Sequence, residues 1–229
     1  LDISLLRNRI EFVADIYKKN TKDLLLQLPL PAYLGSVGHG AASNPWGNVG
    51  ELENKGIELT LNTVNIDTKD FQWRTNAVFS LNRSKVLSLD TDNSTIEKTF
   101  QFGSDSQIVT RTVVGEPIGQ FWGYKVIGRF DKAEDFYYKD ANGNVKPVAL
   151  PTGNVIAESD TWIGDYIFAD LNEDGVIDHN DCTFIGNPEA NFTYGFGNTF
   201  SYKGFDLTVF FSGSFGNDVM NYNRRRIED

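Results

Sequence analysis

Hydrophobic and polar residues alternate along much of the chain, and the alternating stretches come in pairs joined by short turns. In residues 71–81, Phe71, Trp73 and Phe79 fall on one side of an extended chain, with polar residues between them. Successive side chains of a β-strand point to opposite faces, so this period of two predicts strands and not helices. The same pattern predicts strands at 1–6, 10–17, 57–66, 71–81, 192–202 and 205–213.

The connections between these strands differ sharply in length. Short turns at 7–9, 67–70 and 203–204 alternate with long stretches at 29–55 and 83–190, which are rich in Gly, Pro and Asn. Strands of about ten residues, rising about 3.3 Å per residue and tilted about 45°, cross a bilayer core. Short turns on one side and long loops on the other are typical of an outer-membrane β-barrel. A soluble β-sandwich shows the same alternation and is the alternative.

The position of the turns constrains the long connection 83–190. If all three short turns lie on one side of a membrane, this connection must contain an even number of crossings. Two further alternating stretches, 107–114 and 119–130, are the candidates for these crossings.

The charge of the chain is unevenly distributed along its sequence. The 229 residues carry a net charge of −10, yet the stretch 131–181 holds twelve Asp and Glu against three Lys. Nearly all of the net charge therefore lies in one segment, which predicts a local cation site or a solvated loop and not a generally acidic surface. There is no basic surplus, so no nucleic-acid partner is expected.

Other features limit the class of protein further. No run of 18 apolar residues is present, which excludes a membrane-spanning helix but leaves a membrane barrel open. The single cysteine, Cys182, allows no internal disulfide. Leu1 is not an initiator methionine and no signal peptide precedes it, so we expect the chain to be a piece of a longer protein.

One segment of the acidic stretch has the spacing of a calcium loop. In residues 170–181, oxygen-bearing groups recur at positions 1, 3, 5, 7, 9 and 12, with Gly175 at position 6 where the chain must turn sharply. A calcium ion takes six to eight oxygens at about 2.3–2.6 Å, which alternate residues of a tight loop supply. Ile177 at position 8 is expected to pack beneath the loop. The predicted ligands are Asp170, Asn172, Asp174, the backbone carbonyl of Val176, Asp178 through a water, and Asp181.

This loop differs from an EF-hand in two respects. Position 12 is Asp181 where the EF-hand has a longer Glu, which resembles the dockerin-type loop, and no clear helices flank the loop. A metal-free, Asx-rich turn is the alternative, and the role of a bound calcium would be structural.

Other chemical signals are weak. His39 and His179 are far apart in sequence and are expected to be exposed loop residues, and nothing predicts an enzyme. Aromatic residues in or beside the long loops are candidates for stacking on sugar rings, with loop packing or a barrel-rim girdle as the alternative. They are Trp46, Phe121, Trp122 and Tyr124.

Several motifs resemble the SusC/RagA family of TonB-dependent outer-membrane transporters. They lie at 17–31 (YKKNTKDLLLQLPLP), 48–62 (NVGELENKGIELTLN) and 114–124 (VGEPIGQFWGY). The resemblance is densest from 165 to 221, where the calcium-like loop leads into IGNP, FTYGF, FDLTVFF and GSFGND. The order and spacing of these motifs are similar to the C-terminal barrel region of that family.

The resemblance implies an all-β fold, an antiparallel transmembrane segment of a 22-stranded barrel with long extracellular loops. The strong matches cover nearly half of the chain. They imply that residues 1–229 are part of the family's barrel domain, with 131–190 as an acidic long-loop region and without the plug domain or signal peptide. The resemblance implies an importer of oligosaccharides or peptides in the outer membrane of a Gram-negative bacterium. The implied partners are a SusD-like lipoprotein, the TonB complex and outer-membrane lipid. The function alternative is a soluble, calcium-stabilised β-sandwich that acts as an adhesion or glycan-binding module.

Overall fold

A computed structural model describes residues 1–27, 46–89, 95–102, 105–151, 156–157 and 160–221. The chain divides into two compact units. The first contains Leu1–Ile96, Thr112–Gly119 and Asn187–Asp229, and the second contains Glu97–Arg111 and Gln120–Gly186. The acidic stretch 131–181 lies entirely within the second unit, which begins earlier in the chain, at Glu97.

Strands make up 66% of the structure, and the described residues also contain two short 3-10 helices at Ala133–Phe136 and His179–Asp181. No helix in this part of the chain is long and apolar enough to span a membrane. The strands are β1 Asp2–Leu5, β2 Ile10–Gln27, β3 Trp46–Asp67, β4 Phe71–Ser88, β5 Ile96–Phe102, β6 Asp105–Thr112, β7 Gln120–Tyr124, β8 Val126–Arg129, β9 Tyr137–Lys139, β10 Val145–Pro147, β11 Leu150–Pro151, β12 Tyr166–Phe168, β13 Val176–Ile177, β14 Cys182–Gly186, β15 Phe192–Tyr202 and β16 Phe205–Phe215.

Six strands of the first unit form one antiparallel sheet in the order β1-β2-β3-β4-β15-β16. β4 pairs directly with β15, for example at Ser80 and Thr193, so the chain between them leaves the sheet and returns beside the strand that it left. The predicted crossings at 107–114 and 119–130 are therefore wrong. These stretches contribute to β6, β7 and β8, outside the six-stranded sheet. No described residue between β4 and β15 adds a strand to the six-stranded sheet, and zero is an even number, as the turn positions require.

Three strands are longer than the alternation predicts. β2 and β4 have 18 residues each and β3 has 22, whereas β15 and β16 have 11. Residues 46–55, predicted to lie in the long connection 29–55 that is rich in Gly, Pro and Asn, are paired in β3 as far as Trp46. The side-chain contacts of this extension include polar ones: Lys22 Nζ lies 2.7 Å from a carboxylate oxygen of Glu51, across the β2–β3 pair. An apolar period cannot reveal a strand that is held by polar pairs.

The cross-strand register collects most of the apolar residues of the six strands on one face, which we call the apolar face. Its aromatic residues stack across strands: Trp73 and Phe200 have ring centroids 5.7 Å apart, and Phe79 and Phe192 are 5.4 Å apart. Many of its side chains are nevertheless exposed, including Phe205 at 81%. Within the described residues the sheet does not close into a barrel. The predicted apolar positions on this face are Phe71, Trp73, Phe79, Phe192, Tyr194, Phe205, Leu207 and Val209.

The second unit has a small core of its own. β14, β7, β6 and β5 form a four-stranded sheet in that order, and short strand pairs form the rest. Phe130, Phe136 and Leu150 are buried together, and the rings of Phe130 and Phe136 stack with centroids 4.2 Å apart. This unit carries the acidic loop described next.

Candidate functional site in the acidic loop

The predicted calcium loop, residues 170–181, links β12 to β14 and is called the acidic loop below. Its middle forms β13, which pairs in parallel with β11, placing Leu150 opposite Val176 and Pro151 opposite Ile177. Ile177 is only 4% exposed, so position 8 packs beneath the loop as the spacing predicts. The pairing fixes the backbone of positions 7 and 8 against a second segment of the same unit.

Hydrogen bonds from backbone N–H groups to side-chain oxygens shape the first half of the loop. Gly175 has φ +87°, a conformation that suits glycine, and its N–H donates to Asp170 Oδ2 at 2.9 Å. The N–H of Asp174 donates to Asn172 Oδ1 at 3.2 Å, and the N–H of Val176 donates to Asp174 Oδ1 at 2.9 Å. The last two bonds are Asx turns, which explain why Asn and Asp occupy positions 3 and 5.

Asp181 closes the loop from its other end. Its side chain is completely buried, and it accepts hydrogen bonds from the N–H of Leu171 at 2.8 Å and the N–H of Asp178 at 2.9 Å. Burial alone would raise the pKa of Asp181, but the backbone donors of Asp178, Leu171 and Asn172 outweigh it and hold the pKa below its usual value. The carboxylate is therefore charged at neutral pH, and it ties position 2 to position 9.

One oxygen in the loop lacks a partner. Asp170 Oδ1 is buried and accepts no hydrogen bond from any described residue, although Oδ2 of the same carboxylate does. A buried, unpaired carboxylate oxygen is costly unless something else satisfies it. The loop also carries five Asp and Glu residues and no Lys or Arg, and none of them joins an ion pair within the described part of the chain.

The predicted ligands share one loop but do not form a closed cage. No group of three or more His, Cys, Asp or Glu side chains in the described ranges is arranged to hold a metal ion. Two carboxylates are turned toward neighbouring amides instead. Asp174 Oδ2 accepts from Asn172 Nδ2 at 2.8 Å, and Asp178 Oδ2 accepts from Asn180 Nδ2 at 3.2 Å.

An open groove of about 1170 Å³ runs along the acidic loop within the second unit. Asp170 and Asp174 line one part of it, and Tyr137 and Tyr138 of β9 line another. The two tyrosines are 53% and 50% exposed. Sequence reasoning missed them because β9 has only three residues and shows no period. Their rings and the nearby carboxylates give the groove both apolar and polar contacts for a ligand.

The predicted sugar-stacking aromatics are mostly packed. Trp122 meets the ring of Phe184 edge-on at 5.0 Å, and the Arg111 guanidinium covers it at 4.4 Å. The ring of Tyr124 lies 5.4 Å from that of Phe168. Phe121 is half-buried, and Trp46 is 63% exposed at the start of β3. His179 is exposed, whereas His39 lies outside the described residues.

Another cluster, which the sequence did not predict, joins residues 189–191, just before β15, to β4. Glu189 accepts from Asn82 Nδ2 at 3.0 Å and from the N–H and hydroxyl of Ser84 at 2.9 and 3.0 Å. Arg83 donates to the carbonyl of Asn191 at 3.0 Å. The segment just before β15 is thus fixed along the part of β4 that β15 does not cover.

Comparison with known proteins decides the family. No protein-family model matches the chain. TonB-dependent receptor P3 of Formosa agariphila is 37% identical over 225 residues, which are 97% of this chain and 20% of that receptor. TonB-dependent receptor P26 of the same organism is 32% identical over 98% of this chain and 20% of its own length. The chain belongs to the TonB-dependent receptor family.

Two further similarities extend this assignment. TonB-dependent receptor SusC of Bacteroides thetaiotaomicron is 26% identical to this receptor chain over 96% of it and 19% of SusC. The structure of the RagAB peptide transporter has the same fold, with a TM-score of 0.65 at 19% identity over 97% of this chain and 21% of that chain. These findings confirm the resemblance and the predicted fold class.

The receptor chain spans about a fifth of the length of the relatives that it matches. TonB-dependent receptors are outer-membrane proteins of Gram-negative bacteria. The matched proteins are receptors and transporters and not enzymes, as the sequence predicts.

Proposed function

We propose that the receptor to which this chain contributes is an outer-membrane, TonB-dependent importer of oligosaccharides or peptides. The observation that carries the proposal is the apolar face of the six-stranded sheet. Side chains such as Phe205, Leu207 and Phe211 are 81%, 59% and 60% exposed, and a large exposed apolar surface marks a contact with another protein or a membrane. A lipid bilayer would cover this face, and the receptors that match the chain are membrane proteins.

A SusD-like lipoprotein and the TonB complex are the proposed partners. The similarity to SusC supports both, because a receptor of this type needs an energy source for import and a surface protein that delivers its ligand. Import requires no covalent chemistry: loops capture the ligand, and the TonB complex drives its release inward. The groove beside Tyr137 and Tyr138 is the proposed ligand contact of this chain.

Ligand uptake by the intact receptor tests this proposal. Cells with the Y137A/Y138A receptor and cells with wild-type receptor are compared for uptake of oligosaccharide and peptide mixtures. We expect the double variant to lose uptake of one mixture by about 30-fold or more, since removal of two aromatic contacts costs about 1–3 kcal/mol each. Y166A is the matched control, because Tyr166 is similarly exposed in the same unit and does not line the groove. Equal uptake by all three receptors would contradict the ligand contact.

Membrane extraction tests the alternative function, a soluble sandwich module. A sandwich would bury its apolar face against a second sheet, whereas this face is exposed at Phe205 and Phe211. We expect the intact receptor to require detergent for release from the outer-membrane fraction. Recovery in the soluble fraction without detergent would refute the importer.

The acidic loop is a proposed structural calcium site. The buried, unpaired Oδ1 of Asp170 supports this proposal, as do the charge of the loop and the turn at Gly175. The residues that would hold the ion are Asp170, Asn172, Asp174, Val176, Asp178 and Asp181. Binding would require Asp174 and Asp178 to exchange their amide contacts for the ion. A bound divalent cation would offset part of the loop's negative charge and hold the loop in one conformation.

Limited proteolysis of the full-length receptor tests the calcium proposal. At calcium about 100 times the dissociation constant, we expect cleavage within residues 170–181 to slow by about a hundredfold relative to chelator. D170N/D174N should abolish this protection. D140N is the matched control, because Asp140 also accepts backbone N–H bonds, from Asn142 and Asn144, in a turn of the same unit. Identical cleavage in calcium and in chelator would exclude the site.

A further inference from the structure

The strand register assembles a group of cations that the sequence keeps apart. Ile16, Ile57 and Leu81 form the last apolar row of β2, β3 and β4 on the apolar face. The next row on that face places Lys18 opposite Lys55, and Lys55 opposite Arg83. The row after that places Glu53 opposite Lys85. These residues form the basic patch: Lys18, Lys55, Arg83, Lys85 and Glu53.

The patch lies at a defined end of the sheet. The turns 6–9, 68–70 and 203–204 close the opposite end, whereas β2, β3 and β4 continue past the patch toward the long connections. In a membrane barrel the long loops are extracellular. The row of Lys18 lies two residues, about 7 Å along the strand, beyond the last apolar row. In the proposed importer this is the depth of the lipid head groups in the outer leaflet.

The charge of the patch is not balanced within it. Glu53 is the only acid, and its carboxylate lies 2.8 Å from Lys18 Nζ and 2.6 Å from Lys55 Nζ. Lys85 is exposed and joins no ion pair among the described residues. Arg83 is exposed and donates only to oxygens of uncharged groups, such as the carbonyl of Asn191. Like charges opposite one another in a sheet are destabilising, so binding of an anion would stabilise the patch.

We propose that the basic patch binds the phosphate groups of outer-leaflet lipids, a proposal that rests on the membrane location of the proposed importer. Two features favour a lipid phosphate over a soluble anion. The patch continues the apolar face without interruption, so one molecule can place acyl chains against Ile16 and Ile57 and its phosphate against Lys85 and Lys55. Lysine stems can also lie along apolar surface while their ammonium groups reach the head-group level.

Lysines carry most of this binding. Lys85 has all of its donors available, whereas the Arg83 N–H groups already serve carbonyls and contribute mainly charge. Lys18 and Lys55 both pair with Glu53. These three side chains together carry a net charge of +1, which attracts a phosphate. Removal of Lys18 or Lys55 alone would leave a nearly buried carboxylate poorly paired, which is why Glu53 must be changed with them.

Lipid titration of the intact receptor by native mass spectrometry tests the proposal. The probe is phosphatidic acid, with phosphatidylcholine of the same acyl chains as the reference. We expect K85Q to weaken phosphatidic acid binding about fivefold, since each basic residue near a charged membrane surface contributes about that factor. K18Q/E53Q/K55Q/K85Q removes two net charges and should weaken it about 25-fold. Binding of phosphatidylcholine should not change.

Matched controls separate the patch from charge in general. K19Q changes the neighbour of Lys18 on the opposite face of β2, and K69Q changes a lysine in a turn at the other end of the sheet. Both variants should bind phosphatidic acid as the wild type does. Equal losses in K19Q and K85Q would overturn the proposal, and so would no loss in the quadruple variant.

Two further outcomes distinguish failure of the lipid proposal from failure of the proposed importer. If inorganic phosphate displaces phosphatidic acid at equal concentration, the patch is a site for soluble anions and the lipid proposal is wrong while the importer stands. If the receptor fractionates without detergent as a soluble protein, the importer itself is wrong. Raised salt should weaken phosphatidic acid binding to the wild type more than to the quadruple variant, because fewer charges remain to be screened.

Discussion

An arginine in place of Ala77 should destabilise the membrane-embedded receptor by about 2–4 kcal/mol. Ala77 lies on the apolar face between Leu61 of β3 and Phe196 of β15. The apolar rows on β4 extend from Leu81 to Phe71, about ten residues or 33 Å of strand. With a tilt of about 45° they cover about 23 Å along the membrane normal, close to the apolar band of about 25 Å in such barrels.

The depth of each substitution sets its expected cost. Ala77 lies about 9 Å below the upper limit of the band by the same conversion, near mid-depth, whereas Leu81 lies at that limit. A charge costs about 2–4 kcal/mol at mid-depth and about 0–1 kcal/mol near the interface. We therefore expect A77R to be the most costly, F79R to be intermediate and L81R to cost the least. Phe79 also loses its stacking on Phe192, which adds to its cost.

Denaturant titration of the full-length receptor in lipid vesicles, followed by tryptophan fluorescence, measures these differences. N76R is the matched control, because Asn76 is the neighbour of Ala77 on the opposite, polar face and is exposed. We expect N76R to cost less than 1 kcal/mol. Equal costs for A77R and N76R, or a cost that does not fall from A77R to L81R, would refute the assignment of the apolar face to lipid.

Three other predictions concern contacts within the two units. G56V should destabilise the sheet by about 1–3 kcal/mol in the same titration, because a side chain at Gly56 would displace the Tyr17 ring, whose hydroxyl donates to Asn82. E189A should leave the Ser84 N–H without an acceptor and cost about 1–3 kcal/mol, seen as faster hydrogen exchange of that amide. The pKa of Asp181 is lowered in the folded state, so its stabilisation is present above its unfolded pKa of about 3.9 and is lost as pH falls through the folded value. Amide exchange in the acidic loop should therefore accelerate on acidification, and D181N should remove this pH dependence.

Much of the sheet could be predicted from the sequence, because its strands are half-exposed and alternate. The predicted limits 192–202 coincide with β15, and the predicted limits of β16 fall two residues short of Phe215. The turns of the acidic loop could also be predicted from the sequence, because the spacing of a calcium loop and that of successive Asx turns are the same pattern. Its buried Ile177 follows from that spacing. These successes share a cause: each depends on neighbours within a few residues along the chain.

The failures depend on partners that are distant in sequence. The stretch 107–114 does alternate, but alternation shows that a strand has two unlike faces and does not identify the sheet that it joins. Residues 46–55 do not alternate, yet they extend β3 through backbone pairing with β2, and their contacts, such as Lys22 to Glu51, include polar ones that leave no apolar period. Tyr137 and Tyr138 lie in a strand too short to carry a period.

The basic patch cannot be recognised from the net charge of the chain. Outside 131–181 the chain has nineteen acidic and eighteen basic residues and is nearly neutral. Pairing nevertheless brings Lys18, Lys55 and Arg83 into one row. A shift of β3 by one residue would turn Lys55 to the polar face and would turn Ile57 with it, since side chains alternate with a period of two. The pairing that gathers the apolar rows on one face is therefore the pairing that creates the cation row, and one register determines both surfaces.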